Sequence, residues 1–308
     1  MHAIQRHLAS HHGVISYDEA RRLGMSKRTI SRRVTQGRWL RLHRGVYRLS
    51  GAPPSWLGDA RASALACDGL ISHRGAARVW AIDGFDRARI ELTIDVNRRA
   101  RLDGRVRLHR STQMHLAGRT QRRSVPVTSA ARTVLDLAAV LPRNRLHEAV
   151  DAVLRQRLLR WHDLLGVLVR HSRQGRDGCG KLRALLDERY GEARPPDSAF
   201  NRMVGQLLID AGVGRPVFER EIFDGTHFVA RVDLAFPSAK LAIELDSRRF
   251  HDNELSFVED RRRANRLVNL GWTVLAFTYD DYRDTPFLLV RTVRDALRRL
   301  SSLDPVGQ

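Results

Sequence analysis

The stretch SKRTISRRVTQGRWLRLHRGVY, from Ser26 to Tyr47, decides how the N-terminal part of the chain is read. Ser26 is placed to cap a helix over residues 27–36, its hydroxyl accepting from a backbone N–H of the first turn. Ile30 and Val34 stand one turn apart on the side expected to be buried. The other positions, Lys27, Arg28, Thr29, Ser31, Arg32, Arg33, Thr35 and Gln36, can all bond to phosphates or base edges. After Gly37, the runs Trp39 to Leu42 and Val46 to Leu49 flank His43-Arg44-Gly45, which predicts a hairpin. Upstream, Ser16 with Glu19 three residues on forms a capping box for a short helix over 17–23, which Gly24 ends. A further helix is expected from Ile4.

Three helices followed by a hairpin is the order of a winged helix-turn-helix. In that arrangement the helix beginning at Lys27 lies in the major groove, while Arg41, Arg44 and Arg48 on the hairpin contact backbone or minor groove. Ten Arg and Lys27 face only Asp18 and Glu19 in the first fifty residues. The bland alternative is a charged face that is merely solvated. His7, His11 and His12 have helical spacing, but with no acidic or thiol partner evident they are expected to be solvent-exposed rather than metal ligands.

The whole chain has the same bias. Its 308 residues exceed what one core usually holds, so two or three domains are expected, and 43% hydrophobic residues argue for globular structure. Fifty-four basic against thirty-four acidic residues leave a formal charge of +20, and only Lys27, Lys181 and Lys240 are lysines. Arginine's planar fork matches phosphate and guanine edges, so the surplus points to DNA as a partner. A GC-rich genome would favour Arg over Lys, but not the excess over Asp and Glu. Cys67 and Cys179 are far apart, which indicates neither a disulfide framework nor a zinc site and suits a cytoplasmic protein. No signal-peptide pattern opens the sequence, and apolar runs such as Leu164 to Val169 are far too short to span a bilayer, so no membrane association is expected.

In the middle of the chain, Trp56 to Cys67 and Ile71 to Trp80 read as helices, with Ser72-His73 at the start of the second. Ile90 to Ile94 and Val106 to His109 alternate like strands, and Val125 to Thr128 leads into a helix carrying Val134, Leu135 and Ala138. His73 has no nucleophile beside it and reads as a capping or core-edge residue. Residues 143–170 are helical in pattern, with Leu146, Val150, Val153, Leu154 and Leu158 on one stripe. The run from Gly175 to Leu182 is a near miss to a phosphate-binding loop: Leu182 stands where a metal-holding Ser or Thr is needed, and a helix precedes it. It reads as an exposed connection between helices. Gly191 to Asp197 reads as a linker.

The segment from Gly13 to Tyr47, above all Gly37-Arg38-Trp39 and His43-Arg44-Gly45-Val46-Tyr47, resembles the N-terminal domain of AbiEi-type abortive-infection antitoxins. Ser72-His73 and Arg132-Thr133-Val134-Leu135-Asp136 resemble the second domain of the same family. The resemblance implies a DNA-binding protein that represses its own operon and has a cognate toxin protein as a possible partner.

In the C-terminal third, Asp197 or Ser198 is expected to cap a helix that Gly212 stops. Strands follow at 217–222 and 227–236 around a turn at Asp224-Gly225, then at Leu241 to Asp246. Period-two geometry puts Glu244 and Asp246 on one face, and Asp233 on the preceding strand can sit beside it. Three carboxylates meeting there call for a divalent cation, and hard oxygen ligands select Mg²⁺ or Mn²⁺. Such an ion can polarise a phosphate and acidify water.

The pattern Asp-x₁₀-Glu-x-Asp resembles the PD-(D/E)xK nuclease superfamily, and its very-short-patch-repair (Vsr)-like branch matches best through Val232 to Pro237, Phe250-His251, Asp260 to Leu267 and Gly271 to Leu275. The resemblance covers about 198–297. It implies that Asp233 binds metal, that His251 assists as acid or base, and that Arg261 and Arg263 hold the scissile phosphate or pair with the acidic cluster. Three departures count against activity. Asp246 replaces the superfamily's usual Lys, so His251 or Lys240 would have to substitute; Asn201 stands where an acidic residue is common; and Ser247 replaces a Gly.

The expected fold is therefore a multidomain α/β chain: a winged helix-turn-helix over 1–50, an α+β and helical middle region over 51–190, and a restriction-endonuclease-like three-layer α/β domain over 197–304. The expected function is DNA binding with Mg²⁺-dependent endonuclease activity through Asp233, Glu244, Asp246 and His251. The alternative is a non-enzymatic regulator or antitoxin with a degenerate nuclease fold.

Overall fold

A computed structural model describes residues 2–100, 102, 104–171, 177–191, 193–246 and 254–302, the side chains of 254–261 excepted. The chain is a mixed α/β protein with three sheets among these residues, and it divides into two compact units. The first contains residues 1–167 and 173–185, the second 168–172 and 186–308.

The first unit opens with α1 (His2–Ser10), β1 (Val14–Ser16), α2 (Tyr17–Arg22), α3 (Lys27–Thr35), β2 (Trp39–His43) and β3 (Val46–Leu49). The capping box is formed: Ser16 Oγ accepts from Glu19 N–H at 3.1 Å, and Glu19 Oε2 accepts from Ser16 N–H at 2.8 Å. Ser26 caps α3 by accepting from Thr29 N–H at 3.1 Å. β2 and β3 pair antiparallel, and Gly45 takes the positive φ of 73° that their turn needs. Sequence periodicity missed β1, a three-residue strand that completes the order β1-β3-β2. Ile4, Leu8, Ile15, Ile30, Trp39 and Tyr47 make the core beneath.

The same unit continues through α4 (Trp56–Cys67), β4 (Leu70–Ile71), α5 (His73–Trp80), β5 (Glu91–Asp95), β6 (Arg107–Ser111), β7 (Thr120–Arg122), β8 (Val125–Val127), α6 (Ala130–Val140) and α7 (Arg143–Arg155). The strands form a five-stranded sheet of order β6-β5-β4-β8-β7, with β5 and β6 parallel. The stretch read as one helix from 71 to 80 is therefore a short strand that turns at Ser72 into α5. The long helical pattern over 143–170 is two helices, α7 and α8 (Trp161–His171). Then α9 (Cys179–Tyr190) starts at the near-miss phosphate loop. Gly178 there has φ of 86° and lies so close to α6 that a Cβ would sit 2.6 Å from Ala139 N. Lys181 Nζ donates to the Leu141 carbonyl at 3.2 Å. In the described part of that run Cys179 and Leu182 are buried, while Asp177, Gly180 and Lys181 are exposed as expected of a connection.

The second unit contains α10 (Asp197–Asp210), β9 (Val217–Asp224), β10 (His227–Phe236), β11 (Leu241–Asp246), α11 (Glu254–Asn269), β12 (Thr273–Thr278), α12 (Tyr279–Asp284) and α13 (Pro286–Ser302). Its sheet has the order β12-β11-β10-β9, antiparallel except for the parallel pair β11–β12. Pro196, not Asp197 or Ser198, occupies the cap position of α10, without a side-chain cap. The expected linker is tied to this unit: Arg194 makes a two-pronged pair with Asp280 at 2.7 and 3.1 Å and lies over the Tyr279 ring.

Candidate nucleic-acid interface and acidic site

The geometry of α3 divides its polar residues into two groups. Lys27, Arg28, Ser31 and Arg32 are exposed, as is Thr35; Arg28, Ser31, Arg32 and Thr35 share a face away from Ile30, with Lys27 at its edge. Spacings of one, four and five residues keep such side chains on one side of a helix. Arg41 on β2 and Arg44 at the hairpin turn are exposed as well. Seven donor-bearing side chains are thereby offered to solvent with no acidic residue in α3.

Thr29, Arg33 and Arg48 have other work. Thr29 Oγ1 bonds to Ser26 Oγ at 2.9 Å within the cap. Arg33 lies over the Trp39 ring at 5.6 Å. Arg48 is half-buried, 3.9 Å from Asp59 of α4. These three were expected to face DNA; each is partly buried and makes a contact within the unit.

An ion pair with a buried arginine joins α4 to α2. Arg61 of α4 is 1% exposed, donates to Glu19 Oε1 and donates to the Ser124 carbonyl at 2.6 Å. Burial alone would push the Glu19 carboxyl up, but the Ser16 N–H and Arg61 outweigh it and hold its pKa below the usual value. Glu19 also lies 3.7 Å from His7 Nε2, the acidic neighbour that sequence reading did not find. His7 and His11 are stacked and half-buried, and His12 Nε2 lies 2.8 Å from the Arg123 carbonyl, so the three are not simple surface histidines.

In the second unit the register that pairs Leu234 with Ile243 sets Asp233 opposite Glu244, on adjacent strands. Both Asp233 oxygens accept hydrogen bonds: Oδ1 from Asn201 Nδ2 at 2.9 Å and Oδ2 from Leu245 N–H at 2.8 Å. Glu244 Oε2 lies 3.4 Å from Arg263 Nη2, which is the pairing expected of Arg263 as an alternative to phosphate binding. Asp246 is exposed at the end of β11. Ligand atoms of Asp233, Glu244 and Asp246 do not gather within 4.8 Å of one another; among the described residues only His73, Glu91 and His109 do so. Lys240 precedes β11 at the end away from Glu244 and Asp246, and donates to the Leu270 carbonyl at 3.2 Å. His251 lies outside the described residues, as does the Arg261 side chain.

Residues 2–50 match the family model described as "Transcriptional regulator, AbiEi antitoxin". Two uncharacterized proteins of Mycobacterium tuberculosis, from strains CDC 1551 / Oshkosh and ATCC 25618 / H37Rv, are each 28% identical over 281 residues, covering 89% of this chain and 98% of theirs. An alignment that long reaches across both units. Among the described residues, no helix is long and apolar enough to cross a membrane.

Proposed function

We propose that this chain is a DNA-binding transcriptional regulator of the antitoxin type, working in the cytoplasm, with residues 1–50 acting as a winged helix-turn-helix. The carrying observation is the exposed face of Lys27, Arg28, Ser31 and Arg32 on a capped α3, flanked by Arg41 and Arg44. The match of residues 2–50 to the AbiEi regulator family supports it. In this reading α3 enters the major groove, its arginines read guanine edges or phosphates, and the hairpin holds the neighbouring backbone. A cognate toxin protein is the partner this family description suggests. The test is binding to the DNA upstream of the protein's own coding sequence, measured by fluorescence anisotropy against unrelated DNA of equal length. Preference for the upstream DNA, lost in Arg28→Ala/Arg32→Ala, is the expected result. Equal affinity for both DNAs, unchanged by that double substitution, overturns the reading.

A second reading attaches to the second unit: a Vsr-like three-layer nuclease domain with Asp233, Glu244 and Asp246 at its centre. It is supported by the placement of Asp233 opposite Glu244 on neighbouring strands. The oxygen donors suit Mg²⁺ or Mn²⁺ chemically, but as placed they do not fit one ion. Asp233 is engaged on both oxygens and Glu244 faces Arg263. No catalytic step through a metal follows from this geometry. Nicking of supercoiled plasmid in Mg²⁺ or Mn²⁺, abolished by Glu244→Gln, would establish the reading; intact plasmid under the same conditions refutes it.

A further inference from the structure

The first unit holds a cluster that the regulator reading does not use. Glu91 opens β5 and is 1% exposed, His73 begins α5 and is 7% exposed, and His109 lies on β6. Parallel pairing of β5 with β6 sets His109 beside Thr93, so its side chain emerges on the face that carries Glu91. α5 comes close enough to complete the group because residue 75 is Gly: a Cβ there would lie 2.8 Å from Glu91 N. One potential ligand atom from each of His73, Glu91 and His109 then lies within 4.8 Å of the other two. The imidazoles stack with centroids 3.6 Å apart, and His109 Nε2 is 2.8 Å from Glu91 Oε2.

We propose that His73, Glu91 and His109 bind one divalent transition-metal ion of the zinc class. Two imidazoles and one carboxylate are the donor set of that class, with a fourth position left for water or another ligand. Tetrahedral coordination needs ligand atoms about 3.3 Å apart, so the His109–Glu91 contact must open from 2.8 Å and one of the stacked rings must turn for both lone pairs to meet the ion. The groups around the cluster orient its members as outer partners of a metal site do. Arg74 holds Glu91 Oε1 at 3.2 Å, which leaves Oε2 directed at His109. Ser72 Oγ lies 2.9 Å from His73 Nδ1 and itself accepts from Thr93 Oγ1 at 2.7 Å; with the proton on Nδ1, Nε2 keeps its lone pair for the ion. Asp136 acts electrostatically on His73, and its buried Oδ2 has no hydrogen-bond partner among the described residues. Its other oxygen, Oδ1, accepts from Arg132 Nε at 2.7 Å, so the Asp136 charge is already paired.

Protonation is consistent with ligation. Burial is the main cause that depresses the His73 pKa, to about 4, so the ring is neutral at pH 7. Metal ligands must be deprotonated, so affinity falls as the solution is acidified. The inference is independent of DNA binding.

The test uses the full-length protein after EDTA treatment and buffer exchange, titrated with Zn²⁺ by calorimetry and with Co²⁺ by visible absorption. The expected result is one equivalent per chain, with the intense absorption of tetrahedral Co²⁺. His109→Ala and Glu91→Gln should each weaken binding by more than about tenfold. A His7→Ala/His11→Ala variant should bind like the wild type. Because Glu91 is buried, thermal melts accompany each variant, and the wild-type melt should rise with Zn²⁺. No stoichiometric binding to the wild type overturns the proposal. So does binding that survives in His109→Ala, or that vanishes in the His7/His11 variant.

Discussion

Asn201 and Asp233 are joined by a hydrogen bond of 2.9 Å from the carboxamide nitrogen to carboxylate Oδ1, while Leu245 N–H holds the other oxygen at 2.8 Å. α10 is thereby fastened to β10, and β10 to β11, through one carboxylate. A side chain so engaged acts as a structural clasp between two strands and a helix.

Asp233→Ala is expected to leave a buried amide and a strand N–H without an acceptor, at a cost of about 1–3 kcal/mol. Urea unfolding followed by circular dichroism checks this. An unfolding midpoint equal to that of the wild type would show that the clasp contributes nothing.

Arg28 and Arg32 should each contribute about one phosphate contact, so Arg28→Ala or Arg32→Ala lowers the slope of log affinity against log salt by about one. Arg48 is held beside Asp59, and Arg48→Ala should weaken the fold rather than the salt slope. Anisotropy titrations at four salt concentrations distinguish the two behaviours. A slope change in Arg48→Ala as large as that in Arg32→Ala refutes the assignment.

Ser16→Ala removes one cap and should cost about 1 kcal/mol. Glu19→Ala keeps that cap but removes the other half of the box, the acceptor of Ser16 N–H, and also strands the buried Arg61 guanidinium, a loss of about 3–5 kcal/mol. Because the folded-state pKa of Glu19 is lowered, its stabilisation is complete above its ordinary value and disappears as pH falls through the lower folded value. Equal melting temperatures for the two variants would contradict the ranking.

His73 gives a separate pH dependence. Burial holds its pKa near 4 against an ordinary 6.5, so the unfolded chain binds more protons between those values. Stability of the first unit is full above pH 6.5 and declines as pH falls toward 4, by roughly 3 kcal/mol. Trp39, Trp56, Trp80 and Trp161 lie in this unit and Trp272 in the other, so tryptophan fluorescence mainly follows it. In metal-free buffer, His73→Gln should flatten the decline; an unchanged decline shows that another group carries it.

Gly178→Ala should destabilise the first unit by at least about 1 kcal/mol, because φ is 86° and the new Cβ would meet the α6 backbone. Thermal melting checks it, and a variant as stable as the wild type would show that α6 and α9 yield at no cost.

Much of the architecture was legible in the order of residues because it depends on neighbours in the chain. Ser16 with Glu19 and Ser26 with Thr29 set helix starts over three residues, and the β2–β3 hairpin forms around one Gly. Strand β11 coincides with its expected span, since alternation and the turn before it are local signals. The three-residue β1 was hidden because it becomes a strand only by pairing with β3.

Side-chain partnership was decided by tertiary structure alone. Arg28 and Arg48 are the same residue type in one basic segment, yet packing against α4 turns only Arg48 toward Asp59. Sequence reading could offer Arg263 to the acidic cluster, but could not reveal that Asn201 would engage Asp233. His73, Glu91 and His109 come from a helix and two strands, joined by sheet register and by the close approach at Gly75. Local pattern fixes which way a side chain leaves its own element; what it meets depends on elements many residues away, and only the folded packing supplies that.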